Sequence, residues 1–113
     1  MLTIYHNPRC GKSREGLQLL EELNQEFTII KYLDTPPGAD ELTEIVKKLA
    51  IKPMELVRTK EPIWKEKFAD KTLTPKQVIA AMSKYPQLIE RPIVINGDKA
   101  VIARPAGKVK EIL

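Results

Sequence analysis

Within about thirty residues the chain begins strand, helix, strand, an order that leaves the two strands parallel and joined by a right-handed crossover. Leu2 to Tyr5 alternates and runs into the turn-rich His6-Asn7-Pro8. From about Lys12 the apolar residues Leu17, Leu20 and Leu23 recur at helical spacing, and Phe27 to Tyr32 reads as the second strand. Thr35-Pro36-Pro37-Gly38 then breaks the chain. Asp40 to Ala50 predicts a helix with Leu42, Ile45, Val46 and Leu49 on one face, acids in its first turn and Lys47 and Lys48 in its last.

Between residues 52 and 72, Pro53 and Pro62 interrupt short helical patterns, and one or two helical turns are expected. Thr74-Pro75-Lys76-Gln77 is a capping box with proline at the first helical position, predicting a helix through Met82 that stops before Pro86. The period then changes to two. Pro92 to Ile95, the turn Asn96-Gly97-Asp98 and Lys99 to Ala103 predict a hairpin, and Pro105 opens a last helix with Val109, Ile112 and Leu113 on its apolar face. The order β-α-β, helices, β-β-α describes an α/β protein of thioredoxin-like plan. We expect one domain over residues 1–113, with a mixed sheet and a helical insertion at about residues 39–85 between its halves.

Composition narrows the function. With 42% hydrophobic and 30% charged residues, and apolar runs no longer than that of Val78 to Met82, no membrane span is expected. The N-terminus lacks the basic and apolar regions of a secretory leader, so a cytoplasmic location is expected. The single cysteine, Cys10, excludes an intramolecular disulfide and a multi-cysteine metal cluster, and no metal site is expected. A net charge of +4 is modest for a nucleic-acid binder, and none is expected as partner. Residues 1–20, 21–90 and 91–113 carry +2, −1 and +3. A fold that brings the two ends together makes a local cationic pocket for a small anion.

Cys10 lies in the loop between the first strand and first helix, His6-Asn7-Pro8-Arg9-Cys10-Gly11-Lys12-Ser13-Arg14. In a parallel sheet that connection lies at the strand's C-terminal edge, where open α/β proteins bind ligands. A thiol at a helix N-terminus faces unpaired N–H groups and the positive end of the dipole, which favour the thiolate. Arg9, Lys12 and Arg14 add positive charge, and Ser13 is placed to turn its hydroxyl toward the sulfur. We place Gly11, which suits a close backbone approach, and Lys12 among the substrate-binding candidates. A buried, inert cysteine is the structural alternative. Without a second cysteine, a reaction at Cys10 leaves a mixed species that an external thiol must resolve. His6 either tunes the thiolate or orients the loop.

Three arginines, Arg58, Arg91 and Arg104, each lie near apolar residues. Solvated or ion-paired side chains are the plain reading. Arg91 and Arg104, however, each precede a proline, which holds the backbone extended, and rigidly aimed guanidinium forks suit a tetrahedral oxyanion. Trp64 and Phe68 read as core anchors.

The runs His6 to Arg14, Tyr32-Leu33-Asp34-Thr35-Pro36-Pro37, Leu56-Val57-Arg58, Glu90-Arg91-Pro92-Ile93-Val94 and Ala103-Arg104-Pro105 together resemble the glutaredoxin-dependent arsenate reductase family over nearly the whole chain. The resemblance implies a thioredoxin-like fold, Cys10 as nucleophile, and Arg58, Arg91 and Arg104 as the triad that holds the oxyanion. It implies that His6 and Ser13 keep the cysteine ionised, and that Arg91-Pro92 is a cis peptide. No bound cofactor is implied; arsenate or a similar oxyanion is the substrate, glutathione the reducing co-substrate, glutaredoxin the partner, and the chain a monomer. Two other readings stay open: a monothiol glutaredoxin-like thiol-disulfide oxidoreductase, and a non-catalytic redox regulator that binds RNA polymerase, which would want a second sulfur where Ser13 stands.

Overall fold

The computed structural model describes residues 2–113, which divide into two compact units. The first comprises the described residues up to Thr35 together with Arg91–Leu113; the second is Pro36–Glu90. Both ends of the chain, where the positive charge is concentrated, therefore belong to one unit.

In that unit β1 (Leu2–Tyr5), α1 (Gly11–Glu22) and β2 (Phe27–Ile30) form the expected crossover, with β1 and β2 parallel from Leu2 against Phe27 to Tyr5 against Ile30. β3 (Ile93–Asn96) pairs antiparallel with β1, and β4 (Lys99–Ile102) antiparallel with β3, giving a four-stranded mixed sheet of order β2-β1-β3-β4. This is the thioredoxin-like plan. Gly97 turns the β3–β4 hairpin at φ +64°, a conformation glycine adopts without a Cβ penalty. Leu20 of α1 packs with Leu2, Ile4, Val94, Ala103, Val109 and Ile112 into the core that anchors this sheet. α1 ends in a Schellman arrangement, with Asn24 left-handed at φ 54° and the Gln25 N–H donating to Leu20 O.

Two expectations for this unit need correction. The second strand stops at Ile30, so Tyr32 lies beyond it with its side chain wholly buried. The last helix, Ala106–Ile112, is of the 3₁₀ type. At three residues per turn Val109 and Ile112 share one buried face, while Leu113 falls off it and is 50% exposed.

The second unit is helical: α2 (Ala39–Leu49), a 3₁₀ turn Pro53–Leu56, α3 (Pro62–Lys67), α4 (Pro75–Lys84) and a 3₁₀ turn Pro86–Leu88. Pro53 and Pro62, read from sequence as interruptions, instead open helical segments, because a first-turn residue has no intrahelical N–H partner to lose. The α4 capping box forms as expected: Gln77 N–H donates to Thr74 Oγ1 at 3.2 Å and Thr74 N–H to Gln77 Oε1 at 2.9 Å. Leu42, Ile45, Leu56, Trp64, Val78, Met82 and Leu88 are buried here, and Phe68 stacks beside Trp64 at 5.2 Å between ring centroids. A bridge between Val57 and Ile89 ties the unit's two ends of irregular chain together. Among the described residues no helix is long and apolar enough to cross a membrane.

Candidate active site

The loop that carries Cys10 is wired by its own hydrogen bonds. His6 N–H donates to Ile30 O at 2.8 Å, adding one rung beyond the β1–β2 ladder. Asn7 then makes an Asx turn, its Oδ1 accepting from Arg9 N–H at 3.0 Å and its carbonyl from Cys10 N–H at 3.0 Å. Arg14 Nη1 donates back to Pro8 O at 3.0 Å. These bonds deliver Cys10 to the N-cap of α1 in extended backbone, with its carbonyl accepting the first helical bond from Arg14 N–H.

At the sulfur two influences oppose. Burial pushes the thiol up, but hydrogen bonds from Ser13 N–H, the Arg91 guanidinium and Lys12 N–H, with the Arg91 charge, outweigh it and hold the thiol below its ordinary value. The expectation of a lowered thiol pKa at a helix N-terminus stands: the backbone N–H groups act as expected, but the cation is Arg91 and not Arg9, Lys12 or Arg14. Lys12 acts through its backbone; its ammonium turns to Glu15 at 3.5 Å on the exposed surface. Arg14 is spent on Pro8, and Arg9 is exposed. A Cβ on Gly11 would meet only Arg14 Nη2 at 3.8 Å, an ordinary contact, so no protein group crowds this position.

Ser13 does not turn its hydroxyl to the sulfur. That hydroxyl is wholly buried beneath the loop, accepting from Asn7 N–H at 2.9 Å and lying 2.7 Å from His6 Nδ1. The reason is competition: Asn7 N–H and His6 are both buried and need a partner, whereas the sulfur already has backbone donors. His6 is held below its ordinary value, first by burial and next by the nearby Lys31 charge, against the raising effect of Ser13. It is therefore neutral at pH 7. His6 Nδ1 and the Ser13 hydroxyl share one hydrogen bond, and the pair acts as a buried brace that orients the loop.

Arg91 and Arg104 belong to the same unit as Cys10. The Arg91-Pro92 bond is cis, and so is Arg104-Pro105, which nothing in the sequence signals. Arg104 Nη1 donates to Arg91 O at 3.2 Å, and Ala103 N–H to Pro92 O at 2.9 Å, so the two proline turns brace each other beside β3 and β4. Arg58 lies in the helical unit, its side chain about one quarter exposed, 3.5 Å from Glu61 and 3.7 Å from Glu90.

The model of the ArsC family matches residues 5–112, almost the whole of the chain in which this loop and both arginine-proline turns lie. The chain belongs to the ArsC family. It is 46% identical over 112 residues to "Arsenate reductase" of Haemophilus influenzae, covering 97% of each chain. It is equally 46% identical to a protein of Escherichia coli K12 named "Uncharacterized protein YfgD", covering 97% of this chain and 94% of that one. Among solved structures, "Arsenate reductase from Vibrio cholerae" superposes with a TM-score of 0.95 at 42% identity, over 99% of this chain and 97% of that one.

One residue of this ArsC-family site escaped the sequence reading. Gly16 is buried in α1, and a Cβ there would lie 2.8 Å from Pro92 Cγ. The available signal was glycine inside a helical pattern, where it costs roughly 1 kcal/mol against alanine and so points to close packing. Gly16 lets α1 press on the proline that follows Arg91.

Proposed function

We propose that this ArsC-family chain reduces arsenate to arsenite through a covalent Cys10 intermediate, with glutathione as electron donor and glutaredoxin as the regenerating partner. The observation that carries the reading is the Arg91 guanidinium hydrogen-bonded to the Cys10 sulfur at the N-terminus of α1. One cation then serves twice, stabilising the thiolate and offsetting the repulsion between an anionic nucleophile and an anionic substrate.

The Cys10 thiolate attacks arsenic, forming an S–As bond while one oxygen leaves as water or hydroxide; no electrons change hands in this step. The glutathione thiolate next attacks the Cys10 sulfur. An S–S bond forms, the S–As pair departs on arsenic, and As(V) becomes As(III) at the expense of two thiolates. Glutaredoxin attacks the glutathionyl sulfur and Cys10 leaves as thiolate. Gly11, whose position is uncrowded, and Lys12, whose N–H donates to the sulfur, are assigned to oxyanion binding, while Arg104 braces Arg91 and His6 with Ser13 holds the loop. The resemblance adds a share in oxyanion binding for Arg58. No resident cofactor takes part, and the reaction is expected in the cytoplasm by a monomer.

The test is arsenate-dependent NADPH oxidation coupled through glutathione reductase, glutathione and glutaredoxin. Cys10→Ser is expected to abolish turnover, and Arg91→Ala to lower kcat/KM by about 10²- to 10³-fold, the cost of one oxyanion donor. Arg58→Ala and Arg104→Ala are expected to weaken it as well. Turnover surviving all three arginine replacements would overturn the oxyanion site.

A further inference from the structure

The helical unit holds a cavity of about 590 Å³ bordered by its first 3₁₀ turn, α3 and the start of α4. That is within the range of small-molecule sites, which are mostly apolar with a few polar groups that fix orientation. None of its walls belongs to the loop of Cys10 or to the arginines assigned to the oxyanion, so what it binds is independent of the reductase reading. Buried Trp64 and Val78, with half-buried Leu73, form its apolar side. Met54, 41% exposed, adds an unbranched thioether that adapts to irregular shapes. Two walls are held in place by the caps of their helices. Pro53 opens the 3₁₀ turn, where Glu55 Oε2 accepts from Lys52 N–H at 2.7 Å, and Pro75 opens α4 beside the Thr74 capping box. The cavity is therefore preformed, and a ligand need not order it.

The charged groups of the lining are of one sign. Lys52 and Lys71 are both exposed, no carboxylate lines the cavity, and among the described residues neither ammonium is held in an ion pair. An occupant that complements these walls needs an apolar body against Trp64 and Leu73 and an anionic group within reach of the two lysines. A ring suits the indole, since offset and edge-on aromatic pairs add to the burial of apolar surface. Lysine presents a compact charge on a flexible stem and so takes a carboxylate without a fixed approach. We propose that this cavity binds a small organic acid, a ring-bearing carboxylate whose ring lies against Trp64 and whose carboxylate meets Lys52 and Lys71.

Trp64 is the chain's one tryptophan, so its fluorescence reports on this cavity directly. The probes share one apolar body and differ in charge: phenylbutyrate, the neutral phenylbutanol and the cationic phenylbutylamine. Each is titrated into the full chain, and equilibrium dialysis gives the affinities a second time. Phenylbutyrate is expected to change the emission saturably with a Kd below about 1 mM, as suits a ligand of its size, with the alcohol about fivefold weaker or more and the amine weakest. The double variant Lys52→Gln, Lys71→Gln, changed only at exposed side chains, is expected to weaken phenylbutyrate by about fivefold, the loss of two solvent-facing charge contacts. The alcohol, expected to change by less than about twofold in the same variant, controls for the fold of the cavity. One affinity for all three probes, tighter binding of the alcohol or the amine, an unchanged phenylbutyrate Kd in the double variant, or equal weakening of acid and alcohol overturns the proposal. So does the absence of saturable phenylbutyrate binding by both methods.

Discussion

Cys10 and His6 lie four residues apart and are perturbed in the same direction for different reasons. At Cys10 directed donors outweigh burial and favour the charged form; at His6 burial, helped by Lys31, favours the neutral form. His6 is the chain's one histidine, which makes its linkage visible. Because its folded pKa is below the unfolded value of about 6.5, the unfolded chain takes up the proton first, and stability falls as pH drops from about 7 toward 5. In His6→Gln the unfolding midpoint in urea should fall less over that interval; an unchanged slope would show that His6 does not carry the dependence. The placement of Cys10 at the start of α1 was readable from the sequence, since the strand pattern ends at Tyr5 and the helical spacing begins soon after. The partners of Ser13 were not, because periodicity says which face a side chain occupies but not which of two acceptors wins it.

The helix α1 presses its Gly16 against Pro92, which makes the helix a support for the turn that aims Arg91. Gly16→Ala must displace Pro92, an overpacking that costs about 1–3 kcal/mol. It should also raise the pH midpoint of Cys10 alkylation, since Arg91 would retreat from the sulfur. Lost stability in urea with an unmoved midpoint would reduce Gly16 to a packing residue. α2 ends differently. Ala50 occupies the left-handed cap position at φ 56°, with Ile51 N–H donating to Val46 O, where alanine pays a Cβ penalty of about 1 kcal/mol that glycine escapes. Ala50→Gly should raise the unfolding free energy by up to that amount, without changing activity; a destabilised variant would contradict this account of the cap. Element boundaries followed the sequence where side chains signal them, as at the Thr74 capping box. They departed where the signal is ambiguous: a proline breaks a helix or begins one, and Pro53 and Pro62 begin theirs.

Across the molecule, the mixed sheet and the crossover were legible, because parallel and antiparallel pairing follow from the order of the elements and the length of their connections. The two basic ends fall in one unit, the condition on which the sequence made a cationic pocket depend. What sequence could not rank was the basic residues themselves. Arg9, Lys12 and Arg14 are nearest to Cys10 along the chain, yet the guanidinium that reaches the sulfur comes from Arg91, carried there by β3 pairing with β1. Separation along the chain misleads wherever a sheet closes distant segments. The claim on which the account turns is that this long-range partner keeps Cys10 ionised near neutral pH. The rate of Cys10 alkylation by iodoacetamide against pH tests it most directly. The wild-type midpoint should lie well below the ordinary cysteine value of about 8.5 and move up toward it in Arg91→Ala, whereas a wild-type midpoint at or above that value would contradict the account.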